Sequence, residues 1–263
     1  MAVPRSATTK GYRVLNHPTY DKLTRLKLFG MARAFADQST MSLDHLGFDE
    51  RLGLLVDHET TDRDGKALAL RLQRAKLKPN TAAEDTDYRH ARGLDKALFQ
   101  RLLDGQWLAG KQNVLLTGPT GVGKTWLGCA LAHQACRQGY SAYYVRLPRL
   151  LDELSIGRAD GRYSKLLKQL ARIDVLVIDD WGLAVLDDVH RRDLLEVLDD
   201  RHGVRSTIVT SQLPIEHWHA AIGDATLADA ILDRLVHNAH QLNLKGDSLR
   251  KKRAKLTNSA DQE

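Results

Sequence analysis

The chain has 263 residues, of which 43% are hydrophobic and 27% are charged. This composition excludes an intrinsically disordered chain and supplies enough apolar side chains for one large domain or two modest ones. The net charge of +6 favours an acidic partner such as nucleic acid, although a soluble protein with a basic surface fits equally well. No apolar run reaches membrane-spanning length and the first residues lack a signal-peptide hydrophobic region, so we expect a cytoplasmic protein without a membrane partner.

The N-terminal part of the chain is predicted to be helical. Residues 1–18 are polar and basic and include two prolines, which predicts a lead-in without a fold of its own. The apolar spacing over residues 19–38 predicts an amphipathic helix with Thr19 as a possible N-cap. A second helix is predicted to begin near Asp49, and a third to cover residues 62–78 and to end before a proline.

The third predicted helix carries a basic row and an apolar row on different faces. The basic row consists of Arg63, Arg71, Arg74 and Lys78, and the apolar row of Leu68, Leu72 and Ala75. The basic residues are candidates for contacts with the DNA backbone, but a solvated face of a helix bundle produces the same pattern. The polar and acidic residues 80–87 suggest a joint, so we predict a helical domain over 1–85 and a second domain over 86–263.

The most specific motif follows a short apolar strand predicted over residues 113–117. It is the phosphate-loop pattern, formed by Gly118, Pro119, Thr120, Gly121, Val122, Gly123, Lys124 and Thr125. Glycines let successive backbone N–H groups point at a polyphosphate, and the helix predicted over 126–139 adds the positive partial charge of its N-terminus. Lys124 is expected to bind the β- and γ-phosphates and Thr125 to bind Mg²⁺, which predicts a site for a nucleoside triphosphate such as ATP.

A second acidic motif lies at the end of the apolar strand predicted over residues 174–180. Another strand is predicted over 141–145, with helices between the two, and strands that alternate with helices predict an α/β domain with a parallel sheet flanked by helices. The carboxyl ends of parallel strands share one edge, so Asp179 should lie near Thr125 and complete the Mg²⁺ site. Asp180 is then placed to polarise the attacking water.

The remaining predicted elements continue the alternation of helices and strands. They are a helix over 187–201, a strand over 206–210, a helix after Pro214, a helix over 225–238 and a last strand over 241–244, followed by a basic cluster over 250–255. Cys129 and Cys136 lie seven residues apart in the predicted helix after the phosphate loop, too far apart for a disulfide, and are expected to be reduced core residues.

Several stretches together resemble the IstB-like ATP-binding proteins, the helper ATPases encoded beside insertion-sequence transposases. They span nearly the whole chain and are YDKL at 20–23, LLTGPTGVGKT at 115–125, IDDWGL at 178–183, DDRHG at 199–203, TSQLP at 210–214 and DAILDRL at 229–235. The resemblance implies a P-loop domain of the AAA+ class, in the helicase-loader group that includes the DnaC-like proteins, preceded by a small all-helical domain.

The resemblance also implies roles for individual residues. Ser211 falls at the polar sensor, Arg201 at the arginine finger that reaches the γ-phosphate of an adjacent subunit, and Arg234 at the second sensor of the lid helices. Asp180 stands where AAA+ proteins usually have glutamate and Ser211 where they frequently have asparagine, which puts the hydrolysis rate in question more than binding. In many such ATPases the stretch before the first strand contacts adenine, so residues 88–92 are candidates for that contact.

The function that the resemblance implies is an ATP-dependent, DNA-binding helper of transposition. ATP and Mg²⁺ are the expected cofactors, and the expected partners are double-stranded DNA, further copies of the chain joined through ATP, and the transposase of the same element. A lone subunit should hydrolyse ATP weakly, because a cation supplied by a neighbour contributes orders of magnitude in rate. A DnaC-like loader of a replicative helicase is the alternative; a small-molecule kinase would instead need an acceptor pocket and its own set of lid arginines.

Overall fold

The structure is a computed structural model that describes residues 17–41, 45–183 and 185–249. The chain divides into two compact units, Met1–Ala67 and Leu68–Glu263. The division precedes the joint predicted near residue 85, and the domain boundary itself stays a prediction. Most of the predicted lead-in and the basic cluster over 250–255 lie outside the described residues. No described helix is both long and apolar enough to cross a membrane.

The first unit contains helices α1 (Pro18–Arg25) and α2 (Phe29–Gln38) and the beginning of α3 (Phe48–Ala75). The sequence predicted one helix over 19–38, but the chain is interrupted at Lys27, whose φ of 60° is incompatible with a continuous helix. His17 rather than Thr19 is the N-cap of α1, because its side chain accepts the Thr19 N–H at 3.2 Å. The two helices predicted from Asp49 and over 62–78 are one helix, α3.

A buried carboxylate holds α2 against α3 within the first unit. Glu59 is 7% exposed and accepts hydrogen bonds from the N–H groups of Gly30 at 2.8 Å and Met31 at 3.1 Å. These N–H groups belong to the first turn of α2 and have no partner within the helix, so a negative charge stabilises them. A side chain at position 30 would lie 2.6 Å from the carbonyl oxygen of His58, which explains the glycine.

The second unit is an α/β domain with a parallel sheet, as predicted. Its strands are β1 (Asn113–Thr117), β2 (Ala142–Arg146), β3 (Val175–Trp181), β4 (Ser206–Ser211) and β5 (Ala239–Asn243). They pair in the order β2-β3-β4-β1-β5, and every pair is parallel. Its helices are α4 (Lys96–Leu103), α5 (Gln106–Ala109), α6 (Lys124–Arg137), α7 (Leu147–Ala159), α8 (Tyr163–Arg172), α9 (Asp188–Asp199), α10 (Trp218–Ile222) and α11 (Ala225–Val236).

The helices cover both faces of this sheet. Val114 and Leu116 of β1 face a core formed with α4, α5 and α6, whereas Leu115 faces a core formed with α7 to α11. This alternation follows from the two-residue period of a strand, and burial on both faces explains why the strands read as continuous apolar runs. The predicted apolar row Leu68, Leu72 and Ala75 packs with the first of these cores.

Helix α6 approaches the sheet closely through a small residue. A Cβ atom at Gly128 would lie 3.4 Å from side-chain atoms of Leu116, Ile208 and Thr210, so there is little room for a larger side chain. Cys129 and Cys136 of the same helix are free and buried, as predicted, and burial raises the pKa of each thiol to about 11. Both thiols are therefore protonated at neutral pH.

Candidate nucleotide-binding site

The phosphate loop leaves β1 and turns directly into α6. Gly118, Gly121 and Gly123 have φ values of 138°, 86° and 96°, a region that side chains disfavour. Space is equally restrictive, since a Cβ atom would lie 2.2 Å from the Leu244 carbonyl oxygen at Gly118 and 2.1 Å from the Ser248 hydroxyl at Gly121. The glycines are thus required by conformation and by close packing.

Lys124 is the first residue of α6 and is only 7% exposed. Its ammonium group donates to the carbonyl oxygens of Gly118 at 2.6 Å and Pro119 at 2.7 Å. The loop therefore curls around the lysine, which places the charge at the N-terminus of α6, where N–H groups and the helix dipole favour an anion.

Three hydroxyl groups converge on the Asp179 carboxylate, which is 4% exposed. Thr125 donates to Oδ1 at 2.8 Å, and Thr210 donates to the same oxygen. Tyr144 donates to Oδ2 at 2.6 Å. The structure therefore brings Thr125 and Asp179 together at the carboxyl edge of the sheet, while Tyr144 and Thr210 are site residues that the sequence analysis missed.

The oxygen ligands at this position suit Mg²⁺. A threonine hydroxyl and a carboxylate are hard ligands, and Mg²⁺ bound to nucleotides usually completes its shell with phosphate oxygens and water. The described residues contain no group of three or more His, Cys, Asp or Glu side chains that could hold a metal by themselves. The site thus fits a magnesium ion that arrives with a polyphosphate.

Asp180 lies at an irregularity of β3 next to Asp179. Its φ is 62°, and the pairing of β3 with β4 shifts between Ile178 and Trp181. Arg146, at the end of β2, donates to Asp180 Oδ2 at 2.5 Å, and this hydrogen bond raises the pKa of Arg146. The candidate base is therefore held in an ion pair with Arg146 at the edge of the sheet where Asp179 lies.

A cavity of about 750 Å³ adjoins these groups. Its size falls within the range of known small-molecule sites. It is lined by residues from the phosphate loop, from the ends of β3 and β4, and from the segment before α4, including Asp87, His90 and Arg92. The predicted adenine-contacting segment thus borders the same cavity as Lys124.

Arg92 connects this segment to the phosphate loop. It is 2% exposed and donates to the carbonyl oxygens of Val122 and Asp87, each at 3.1 Å. Burial lowers the pKa of Arg92, and its Nε is buried without a hydrogen-bond partner. The backbone N–H of Leu249 also donates to Gly121 at 3.0 Å, so chain segments far apart in sequence support the loop.

Ser211, the predicted polar sensor, borders the cavity but is engaged with the backbone. It is 1% exposed, donates to the Trp181 carbonyl at 2.9 Å and accepts from the Leu213 N–H at 3.0 Å. Its neighbour Thr210 makes the contact with Asp179. Thr210 and Ser211 therefore have different hydrogen-bond partners at this strand end, and the sensor role of Ser211 stays a prediction.

Arg201, the predicted arginine finger, is buried inside its own subunit. It is 1% exposed, and its guanidinium donates to Thr207 Oγ1 at 3.1 Å, to the Ile173 carbonyl at 2.8 Å and to the carbonyls of Leu170 and Ser206. Burial lowers its pKa, yet four oxygen acceptors stabilise the charge. All of these acceptors belong to the same chain, and the arginine-finger role that the motif implies for Arg201 stays a prediction.

Arg234, the predicted second sensor, lies away from the phosphate loop. Its carbonyl oxygen accepts from Asn113 Nδ2 at 3.0 Å, which places it at the amino end of β1, whereas the phosphate loop follows the carboxyl end. Its partly exposed side chain pairs with Asp199 at 2.9 Å. Because a five-residue strand separates the two ends by roughly 15 Å, Arg234 does not contact the nucleotide cavity of its own chain.

The four predicted DNA-contacting residues have different surroundings. Arg63, in the first unit, pairs with Glu59 at 2.6 Å. In the second unit, Arg71 donates to the Cys136 carbonyl at 2.9 Å, Lys78 lines the nucleotide cavity with its ammonium 5.1 Å from the centre of the Tyr144 ring, and Arg74 is exposed. Arg71 and Lys78 therefore already make contacts within the second unit.

A parallel sheet with a phosphate loop after β1 and a carboxylate pair at the end of β3 defines a protein with a P-loop nucleotide-binding fold. The chain belongs to the family of IstB-like ATP binding proteins, whose family model matches residues 21–257.

Relatives in sequence agree with this assignment, and a solved structure has the same fold. The chain is 51% identical over 239 residues to an insertion sequence ATP-binding protein of Sinorhizobium fredii. The matched region covers 90% of this chain and 98% of the relative. The chain is 55% identical over 203 residues to the ATP-binding protein of insertion sequence IS1162 of Pseudomonas fluorescens, over 76% of this chain and 88% of the relative. The crystal structure of DnaI shares the fold, with a TM-score of 0.55 and 21% identity over 65% of this chain and 93% of DnaI.

The buried position of Arg201 predicts that it stabilises the fold. Replacing Arg201 by Met leaves several buried carbonyl oxygens without a donor, at a cost of about 3 kcal/mol or more, so thermal denaturation should show a melting temperature lower by roughly 6–12 °C. Arg205→Met, at a more exposed neighbour, is the matched control and should shift it little. An unchanged melting temperature for Arg201→Met would contradict the structural role.

The ion pair with Arg146 is expected to keep the Asp180 carboxylate from acting as a general base. Arg146→Gln should raise the basal rate of ATP hydrolysis by roughly 3- to 10-fold, a small part of the factor of about 100 or more that a general base can contribute. Steady-state phosphate release measures this rate. Arg149→Gln, on the exposed side of α7, controls for the loss of a positive charge. A rate that stays the same or falls in Arg146→Gln would show that the arginine does not restrain Asp180.

Proposed function

We propose that this chain is an ATP-hydrolysing, DNA-binding helper of transposition that assembles on duplex DNA with ATP and recruits the transposase of the same element. The observation that carries the ATPase part is the contact of Thr125 with Asp179 beside the phosphate loop. The membership in a family of ATP-binding proteins and the insertion-sequence names of its relatives support the remainder.

ATP binding would use the phosphate loop and Lys124. The lysine would exchange its bonds to the carbonyls of Gly118 and Pro119 for phosphate oxygens, while the loop N–H groups and the N-terminus of α6 neutralise further charge. Thr125 and Asp179 would hold Mg²⁺, which when bound neutralises charge on the phosphates. His90 and Arg92 border the part of the cavity that remains for the nucleoside.

Hydrolysis requires that Asp180 leave its ion pair with Arg146. The carboxylate could then accept a proton from a water aligned with the γ-phosphate, while Thr210 and Ser211 fix the neighbouring strand end. The short aspartate in place of glutamate and the competing arginine are both consistent with slow hydrolysis by a single subunit.

Assembly would bring a positively charged side chain of one subunit to the γ-phosphate bound by its neighbour. Arg201 is buried, so we assign the contact with a neighbouring nucleotide to Arg234, which is partly exposed and lies at the opposite edge of the sheet from the phosphate loop. Subunits stacked head to tail would bring this edge to the next subunit's cavity. Arg234 would exchange Asp199 for the γ-phosphate, so that ATP links two subunits and each hydrolyses slowly alone.

DNA binding would be largely electrostatic. The chain carries 39 Lys and Arg residues against 33 Asp and Glu residues, and repetition along an assembly multiplies a modest excess of positive charge. Arg74 is exposed and Arg63 has a side chain that is 60% exposed despite its pairing with Glu59. These contacts would be to phosphates and would carry little sequence information.

A DnaC-like helicase loader is the second candidate, because such a loader would use the same phosphate loop and acidic strand end. The two functions differ in the partner protein. Stable binding of the ATP-bound assembly to the transposase of the neighbouring gene, with no binding to a replicative helicase, favours the transposition helper.

The proposed assembly predicts a mass that depends on both ATP and DNA. Light scattering should detect a large complex only with ATP and duplex DNA, and a small species with ADP. Lys124→Ala should abolish the complex, and Arg234→Ala should weaken it strongly while retaining ATP binding by one subunit. Arg191→Ala, another partly buried arginine that pairs with an aspartate, is the matched control and should assemble normally. A single-subunit mass under every condition would refute assembly through ATP.

The proposed DNA surface predicts a change in salt dependence. Reversing Arg63 and Arg74 together to Glu should weaken binding to duplexes of every sequence and reduce the slope of log affinity against log salt by about 1 or more. Fluorescence anisotropy over a range of salt concentrations measures both quantities. A double reversal at the exposed residues Lys165 and Lys168 makes the same change in net charge elsewhere. Equal losses in the two variants would refute Arg63 and Arg74 as DNA contacts.

A further inference from the structure

Two adjacent tyrosines of β2 each lie beside a lysine, but they pack with different cores and have different hydroxyl partners. A lysine ammonium lies over each ring, Lys76 at 5.2 Å from the centre of Tyr143 and Lys78 at 5.1 Å from the centre of Tyr144. The Tyr143 hydroxyl is 3.5 Å from the Lys76 ammonium, whereas the Tyr144 hydroxyl donates to Asp179 at 2.6 Å. Only the second tyrosine therefore acts on the candidate metal site.

The donors around Asp179 are distributed unequally between its two oxygens. Oδ1 accepts from both Thr125 and Thr210, whereas among the described residues Oδ2 accepts a side-chain hydrogen bond from Tyr144 alone. A carboxylate oxygen has two acceptor positions. Oδ2 therefore keeps one acceptor position for a metal-bound water or the ion. The hydrogen bond from Tyr144 fixes the direction in which this position points.

The surroundings of Tyr144 hold its hydroxyl as a donor. Its side chain is buried, at 9% exposure, and the ring packs in the core shared with α6. Its hydroxyl donates to a carboxylate that is itself only 4% exposed, so this contact is shielded from solvent. The Lys78 ammonium over the ring face contributes a cation–π attraction that holds the ring in place.

We propose that Tyr144 is a positioning residue that orients the Asp179 carboxylate for Mg²⁺ and so couples metal binding to nucleotide binding. This inference rests on the proposed Mg²⁺-ATP site. Groups that orient a metal ligand typically change metal affinity by about 10- to 100-fold when they are removed. Loss of the hydroxyl would leave Oδ2 buried without this donor and would free the carboxylate to rotate about Thr125 and Thr210.

The test measures equilibrium binding of a fluorescent, non-hydrolysable ATP analogue to the full chain while Mg²⁺ is titrated. Tyr144→Phe should raise the Mg²⁺ concentration at half-maximal effect by about 10-fold, while its affinity for the analogue in excess EDTA stays at the wild-type value. Tyr143→Phe removes one hydroxyl from the neighbouring residue and should leave both quantities unchanged. Thr210→Val should have a smaller effect than Tyr144→Phe, because Oδ1 keeps the hydroxyl of Thr125.

The outcomes separate this inference from the function on which it rests. If the wild type shows no effect of Mg²⁺ on analogue binding, the proposed metal-nucleotide site fails. If the wild type responds to Mg²⁺ but Tyr144→Phe matches Tyr143→Phe, the site stands and the role of Tyr144 is refuted. A Tyr144→Phe variant that weakens analogue binding equally with and without Mg²⁺ would also refute it, because that result indicates a general packing defect.

Discussion

The hydrogen bond between Thr125 and Asp179 joins the phosphate loop and α6 to the acidic end of β3. The other groups of the nucleotide site are arranged around this contact. Thr125 belongs to the helix that follows β1, whereas Asp179 ends β3, and β4 lies between these strands in the sheet. The contact forms because parallel strands present all of their carboxyl ends at one edge. Thr210 of the intervening strand donates to the same oxygen and Tyr144 of β2 to the other, so one carboxylate of β3 connects α6, β2 and β4.

This arrangement concentrates buried polar groups at a single place. Asp179, Lys124 and Arg92 are all nearly inaccessible to solvent, and each is stabilised by several hydrogen bonds. A buried charge without such partners is costly. The Lys124 ammonium donates to carbonyl groups of its own loop, and a polyphosphate would have to replace these acceptors. The free energy of binding is therefore the difference between an ammonium bonded to carbonyls and one bonded to phosphate oxygens. Such an exchange favours ligands that offer more than one charged oxygen.

Much of the second unit could be predicted from the sequence because its signals are local. The apolar strands, the glycines of the phosphate loop and the acidic strand end specify both the parallel sheet and the edge where the site lies. Apart from Thr125, the partners of Asp179 and Asp180 were not predictable, because Tyr144, Arg146 and Thr210 converge only after β2, β3 and β4 align. The burial of Arg201 was not predictable for a related reason: its motif indicates a position in the family, but burial depends on the carbonyl groups that surround it. In the first unit, the periodicity over residues 19–38 did not reveal the interruption at Lys27, since a change of backbone direction there leaves the apolar spacing nearly intact.

Gly128 illustrates how a residue without a functional group can set the dimensions of a site. The close approach of α6 to Leu116, Ile208 and Thr210 at this point fixes how deeply the helix sits on the sheet, and Thr125 lies one turn earlier on the same helix. A bulkier residue would act as a wedge between the helix and β4 and would lengthen the gap that the Thr125 hydroxyl spans to Asp179. Sequence variation at position 128 is therefore constrained by the chemistry of a residue it does not touch.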